Sequence, residues 1–136
     1  MQRRTFNALI AAAGLSFALA APHALAAWPD GKTLNIVVPY APGGTADALA
    51  RLLAQHLGPK LGTSVVVLNK AGASGVIGAQ AVAQAAPDGL TVLYDATPFS
   101  INPHLQKLPY DADKDLIPVT QVGVTPMLMT VPKGSP

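Results

Sequence analysis

The stretch Leu34-Asn35-Ile36-Val37-Val38-Pro39-Tyr40-Ala41-Pro42-Gly43-Gly44-Thr45-Ala46-Asp47 decides the fold, because it carries an apolar run into a glycine turn and out again into a helix. Leu34 to Val38 is short, apolar and rich in β-branched residues, the pattern of a strand buried on both faces. Two prolines punctuate its exit, and Gly43 and Gly44 open backbone geometries closed to other residues. Thr45 or Asp47 is expected to cap the following helix by accepting a bond from its first N–H groups. That helix is predicted over residues 47–57, with Leu49, Leu52, Leu53 and Leu57 on its apolar face and Gly58-Pro59 as its stop.

The same alternation repeats downstream. Ser64 to Leu68 reads as a second strand, and Asn69 to Gly75 as a second small-residue loop. A helix is predicted over 75–86, with Val76, Ala79, Val82, Ala83 and Ala86 on one side, before the turn Pro87-Asp88-Gly89. Leu90 to Tyr94 is the third strand. Strands at 34–38, 64–68 and 90–94 joined by helical crossovers predict a mostly parallel α/β sheet with right-handed connections. Asp95-Ala96-Thr97-Pro98 then forms a third strand-end loop, with a short helix over Phe99 to Leu105 despite Pro103 and a polar turn region from Lys107 to Lys114. Pro118 to Val124 and Met127 to Val131 read as strands broken by Thr125-Pro126.

At the N-terminus, Arg3 and Arg4 precede an apolar run from Ala8 to Ala21, and Ala24 and Ala26 suit the small positions before a cleavage point. Residues 1–26 are therefore expected to be an export signal cut before Ala27, with the twin-arginine and general routes both open. Removing it removes Arg3 and Arg4, and with them the formal charge of +2 of the whole chain. The remainder balances Lys32, Arg51, Lys60, Lys70, Lys107, Lys114 and Lys133 against seven aspartates. Those cations are scattered singly, which excludes a nucleic-acid footprint. The chain has no cysteine, so stability rests on packing rather than disulfides. Its apolar Met127-Leu128-Met129-Thr130 runs straight into Val131-Pro132-Lys133-Gly134-Ser135-Pro136 without a closing helix. The expected division is a signal over 1–26, a partial N-terminal α/β domain over 27–124 and the start of a crossover toward a second domain over 125–136.

The first loop lacks the lysine and the Ser or Thr ending of a phosphate-binding loop, and its paired glycines do not match the dinucleotide fingerprint. A plain structural turn and a backbone anion site both fit it; in the second reading, N–H groups around Gly43 and Gly44 hold the anion and Thr45 adds a hydroxyl. Gly72-Ala73-Ser74-Gly75 lies at the next strand end. Parallel strands put such loops on one rim, so it is either a second wall of that site or tight strand-to-helix packing. Asp111-Ala112-Asp113-Lys114-Asp115 starts like a calcium loop, but Leu116 and Val122 occupy the positions of its glycine and bidentate glutamate. His56 and His104 stand apart, and no serine sits in a nucleophile elbow. No cofactor, metal site or catalytic residue is expected.

These segments, in order and spacing, resemble the Bug or TctC-like family of extracytoplasmic solute receptors associated with tripartite tricarboxylate transport. The resemblance is carried by Trp28-Pro29, Ile36 to Asp47, Asn69 to Gly75, Ala86-Pro87-Asp88-Gly89, Asn102-Pro103, Leu108-Pro109-Tyr110-Asp111 and Asp115-Leu116-Ile117-Pro118-Val119-Thr120. It implies a periplasmic binding protein of the type II-like α/β fold, a two-domain receptor of which this chain is the N-terminal half. It implies a small organic carboxylate as ligand and membrane transporter subunits or a sensor as partners. The ligand-binding positions it implies are Tyr40, Ala41, Pro42, Gly43, Gly44, Thr45 and Asp47, with Ala71, Gly72, Ala73 and Ser74 as a second set. Ala71 stands where relatives often have proline, which implies a less rigid second loop. An enzyme acting on a small polar metabolite and a non-binding export-domain fragment are the alternatives.

Overall fold

The computed structural model describes residues 28–124, 130 and 132–134. The expected export signal and most of the expected crossover segment, including the strand read at Met127 to Val131, lie outside the described residues.

Three strands form one sheet in the order β2-β1-β3, with β1 at Leu34–Val38, β2 at Val65–Asn69 and β3 at Thr91–Leu93. Both pairings are parallel, with Ile36 opposite Val67 on one side and Val92 on the other. Between them run α1 (Thr45–Leu61), a single 3₁₀ turn (Ala73–Gly75) and α2 (Val76–Ala83), and after β3 comes α3 (Pro98–Leu105). The chain moves from β1 to one neighbour and then back across β1 to the other, so right-handed crossovers place α1 and α2 on opposite faces. As the central strand, β1 is covered on both. Ile36, Val37 and Val38 are at most 1% exposed, as its uninterrupted apolar run predicts.

The α1 face of the sheet gathers Ile36, Val38, Val65, Val67, Val92 and Tyr94 around the fully buried Ala50. Helix α1 meets that surface with Ala46, Ala50 and Ala54 and, of its expected leucine stripe, with Leu53; Leu49 and Leu52 are 40% and 51% exposed. The expected leucine face is thus corrected at Leu49 and Leu52. Valines, isoleucine and tyrosine already fill the sheet surface, and alanines let the helix backbone come close enough to pack on it. On the other face α2 lies over β1 and β3, leaving Val66 and Leu68 of the edge strand β2 partly exposed.

The helix ends also differ from the sequence reading. Gly58-Pro59 does not stop α1, which continues through Pro59 to Leu61 and ends on Gly62 in the left-handed conformation. Pro59 sits in the last turn, where it costs a single helix bond, and the N–H groups of Gly62 and Thr63 both close back onto Gly58 O. Gly58 serves a different purpose: a Cβ there would lie 3.2 Å from Thr63 O, so the glycine lets the chain fold back tightly into β2. Neither Thr45 nor Asp47 caps α1 through its side chain; the N-cap is Gly44. Pro118 to Val124 forms no strand.

Candidate functional site

Three loops leave the carboxyl ends of the three strands and meet on one rim, the place where parallel α/β sheets offer ligands a crevice. Loop one, residues 39–44, enters α1; loop two, residues 70–75, enters α2; loop three, residues 94–97, enters α3.

Loop one is shaped by Asp47. This residue is buried in the first turn of α1, and its carboxylate reaches back instead of capping forward. Oδ2 accepts from the Gly43 N–H at 2.9 Å and from Arg51 Nε at 3.0 Å, while Oδ1 accepts from Asn69 Nδ2 at 2.9 Å. Asn69, the last residue of β2, also donates to Tyr40 O at 3.2 Å and accepts from Arg51 Nη2 at 3.2 Å. One carboxylate therefore ties loop one, α1 and the end of β2 together. The Arg51 bond first, then those from Gly43 and Asn69, hold the Asp47 carboxyl well below the usual carboxylate range.

With the Gly43 N–H committed to Asp47 and no side-chain cap, the donors left at the loop belong to the helix end. The first intrahelical bond runs from Ala48 N to Gly44 O, so the N–H groups of Thr45, Ala46 and Asp47 have no acceptor within α1. Such an end attracts a negative group. Ala41, Pro42, Gly43, Gly44 and Thr45 are exposed around it, and Tyr40 is half-buried beneath.

Loop two is held in a tight, high-energy shape. Gly72 and Gly75 have φ of +135° and +95°, and the non-glycine Ala73 and Ser74 sit at +46° and +54°. L-residues pay roughly 1–2 kcal/mol each to enter that region. The buried Asn102 of α3 holds the turn by donating to Ser74 O at 2.9 Å, and Gly75 N closes onto Gly72 O. Ala71, Ala73 and Ser74 are exposed, with Gly72 partly covered.

Loop three adds an acid. Tyr40 donates its hydroxyl to Asp95 Oδ1 at 2.5 Å, and the Ala96 N–H donates to the same oxygen at 2.7 Å. Burial pushes the Asp95 carboxyl up, against the opposing pull of these two bonds. Burial and then the Asp95 carboxylate raise the Tyr40 phenol above its ordinary value, so it stays a donor. The two rim aspartates are expected to be displaced in opposite directions from the ordinary carboxylate value when followed by carboxyl carbon NMR, Asp95 taking its proton before Asp47 as pH falls. Asp95, with a raised folded value, contributes stability that is full below its unfolded value of about 3.9 and lost as pH rises through the folded one; Asp47 does the reverse. Asp47 protonating before Asp95 would refute this picture of the rim.

The structure thus brings the two expected loop sets together on one rim. It adds Arg51, Asn69, Asp95 and Asn102, none of which the sequence reading placed among the ligand-binding positions. Only one carried a local signal: Asp47 and Arg51 are spaced i, i+4 on a helix. A shallow open depression lies elsewhere, lined by Pro103, Gln106, Lys107, Tyr110, Asp111 and Asp115. Asp111 there is already engaged, its Oδ2 by Lys114 Nζ at 2.8 Å and its Oδ1 by the Asp113 and Lys114 N–H groups, whereas the rim keeps unspent backbone donors, so the rim is the better candidate. Among the described residues no group of three or more His, Asp or Glu is arranged to hold a metal ion.

The sequence profile of the tripartite tricarboxylate transporter family receptor, TctC, matches residues 49–136. The BugT protein of Bordetella pertussis is 41% identical over 132 residues, which span 92% of this chain and 40% of that protein. A solved structure described as a periplasmic transporter superposes with a TM-score of 0.58 at 43% identity, covering 63% of this chain and 29% of its own. MatC of Rhodopseudomonas palustris with bound malate superposes with a TM-score of 0.52 at 36% identity, covering 61% and 29%. The chain spans about two fifths or less of the length of these proteins. Its α/β fold, a mostly parallel sheet flanked by helices, is that of part of a periplasmic binding protein.

Proposed function

Because this chain belongs to the tripartite tricarboxylate transporter receptor family, we propose that it is a periplasmic solute-binding receptor for a small organic carboxylate, which it delivers to a membrane transporter of the tripartite tricarboxylate type. Residues 1–26 act as the export signal, and the rim is one wall of the binding site. The role is capture and release rather than chemical conversion.

The observation that carries the reading is the end of α1. Three N–H groups without helical acceptors stand beside an exposed Gly43-Gly44 turn, and that turn is held by a buried carboxylate whose charge Arg51 already neutralises. An incoming carboxylate meets backbone donors there and not an uncompensated Asp47. The malate held by the MatC relative supports an organic acid as the ligand class.

The test is a calorimetric screen of the full-length gene product against dicarboxylates, citrate, amino acids and aromatic acids. Saturable binding without turnover is expected; catalytic turnover would favour an enzyme instead. Gly43→Val is expected to weaken the acid that binds by about tenfold, because Gly43 has a φ of +84° that a β-branched residue adopts only under strain. A Cβ at Gly43 meets nothing within 4 Å, so the effect comes from the backbone rather than from bulk. Unchanged affinity in a folded Gly43→Val protein would remove loop one from the site.

A further inference from the structure

We propose that Asp95 is the specificity-determining group of this rim, and that it selects carboxylates bearing a hydrogen-bond-donating substituent, a hydroxyl or an ammonium, over those without one. The inference rests on the carboxylate-receptor reading above and names the ligand class within it.

Asp95 stands at the end of β3, on the same rim as the donors of α1, and its two oxygens are used unequally. Oδ1 accepts from both Tyr40 Oη and Ala96 N, whereas Oδ2 accepts no bond among the described residues. Gly75 of loop two adds no side chain beside that oxygen; a Cβ on it would lie 3.6 Å from Oδ2. An ionised carboxylate oxygen with no protein donor on it is free to accept from a ligand. The missing complement is a donor. The positive end of α1 takes a ligand's anionic group, and the Asp95 carboxylate repels a second anion while accepting from a hydroxyl or ammonium.

The test measures affinities of the full-length gene product for succinate, malate and aspartate, and again for glutarate, 2-hydroxyglutarate and glutamate. In each set the acids share chain length and differ in the donor they carry. At least one donor-bearing acid is expected to bind about tenfold or more tighter than its plain partner. Asp95→Asn keeps an acceptor for Tyr40 and Ala96 but removes the charge. It is expected to bring an ammonium-bearing acid to within about threefold of the plain one, to retain part of a hydroxyl preference, and to leave the plain acid unchanged or tighter. The two substituents are thereby told apart. A plain acid binding as tightly as its donor-bearing partners in the unmodified protein overturns the inference and leaves the receptor reading standing, as does binding confined to donor-free aromatic acids. An equal loss for all three acids in Asp95→Asn also overturns it, because that is the mark of a purely structural role. No binding of any acid overturns both readings.

Discussion

Gly78→Ala is expected to destabilise the protein by about 1–3 kcal/mol, the usual cost of forcing a methyl group into a packed interior. A Cβ at Gly78 would lie 2.6 Å from Pro39 Cβ, 3.0 Å from Pro39 Cα and 3.1 Å from Lys70 O. Two of those atoms are backbone and the third belongs to a fully buried proline ring, so nothing flexible can yield. Alanine would otherwise help α2 by roughly 1 kcal/mol of helix propensity, which makes a net loss the more telling. The methyl group would also act as a wedge, because Pro39 opens loop one and Lys70 opens loop two. Ligand affinity is therefore expected to fall together with the thermal midpoint, whereas Gly123→Ala, with nothing within 4 Å, should change neither. A Gly78→Ala protein as stable as the parent in urea unfolding would show that α2 is not seated against the loops as described.

Asp47→Asn is the second large effect expected. All three groups around the Asp47 carboxylate are donors, so only a side chain that accepts at both oxygens fits. An amide there must turn one NH2 toward either Asn69 Nδ2 or the pair Gly43 N and Arg51 Nε. Turning the Asn69 amide over does not rescue it, since Asn69 Nδ2 would then face Arg51 Nη2 and release Tyr40 O. The frustration passes from loop one to the end of β2. The expected result is a fall in thermal midpoint on the order of 5 °C and weaker ligand binding through a loosened loop one. The difference from the parent has a defined pH dependence. With its folded value depressed, Asp47 contributes stability that is present above its unfolded value of about 3.9 and lost as pH falls through the folded one, so the two proteins should converge only in strong acid. A midpoint gap that widens with acid would reject the network.

Much of this architecture is written in local chemistry. The β-branched runs and their spacing define three parallel strands, and β1 ends where Pro39 follows Val38, as the residues alone predict. Short-range periodicity and turn residues are sufficient for that, because strand and helix periods depend on neighbours within a few positions. The short helix tolerating Pro103 is legible too, as is the shared rim, which follows from parallel connectivity once the strands are placed. The family resemblance is likewise a property of ordered short segments.

What the residues could not disclose depends on surfaces that meet only in the folded chain. The side of α1 that packs is chosen by the volume left on the sheet, which sends alanines inward and two leucines outward against their hydrophobicity. Pro59 sits within the helix, and the chain returns to β2 so closely over Gly58 that a Cβ there would lie 3.2 Å from Thr63 O, a contact no local pattern encodes. Gly78 reads as an ordinary helix position until Pro39 and Lys70 are brought against it. The sequence by itself determined the strands, the crossovers and which loops share the rim, since these follow from period and connectivity. The tertiary structure alone decided which groups on that rim are already spoken for, Asp47 satisfied by three donors and Asp95 with one oxygen unspent, because hydrogen-bond partners 22 and 55 residues apart are set by packing and not by proximity along the chain.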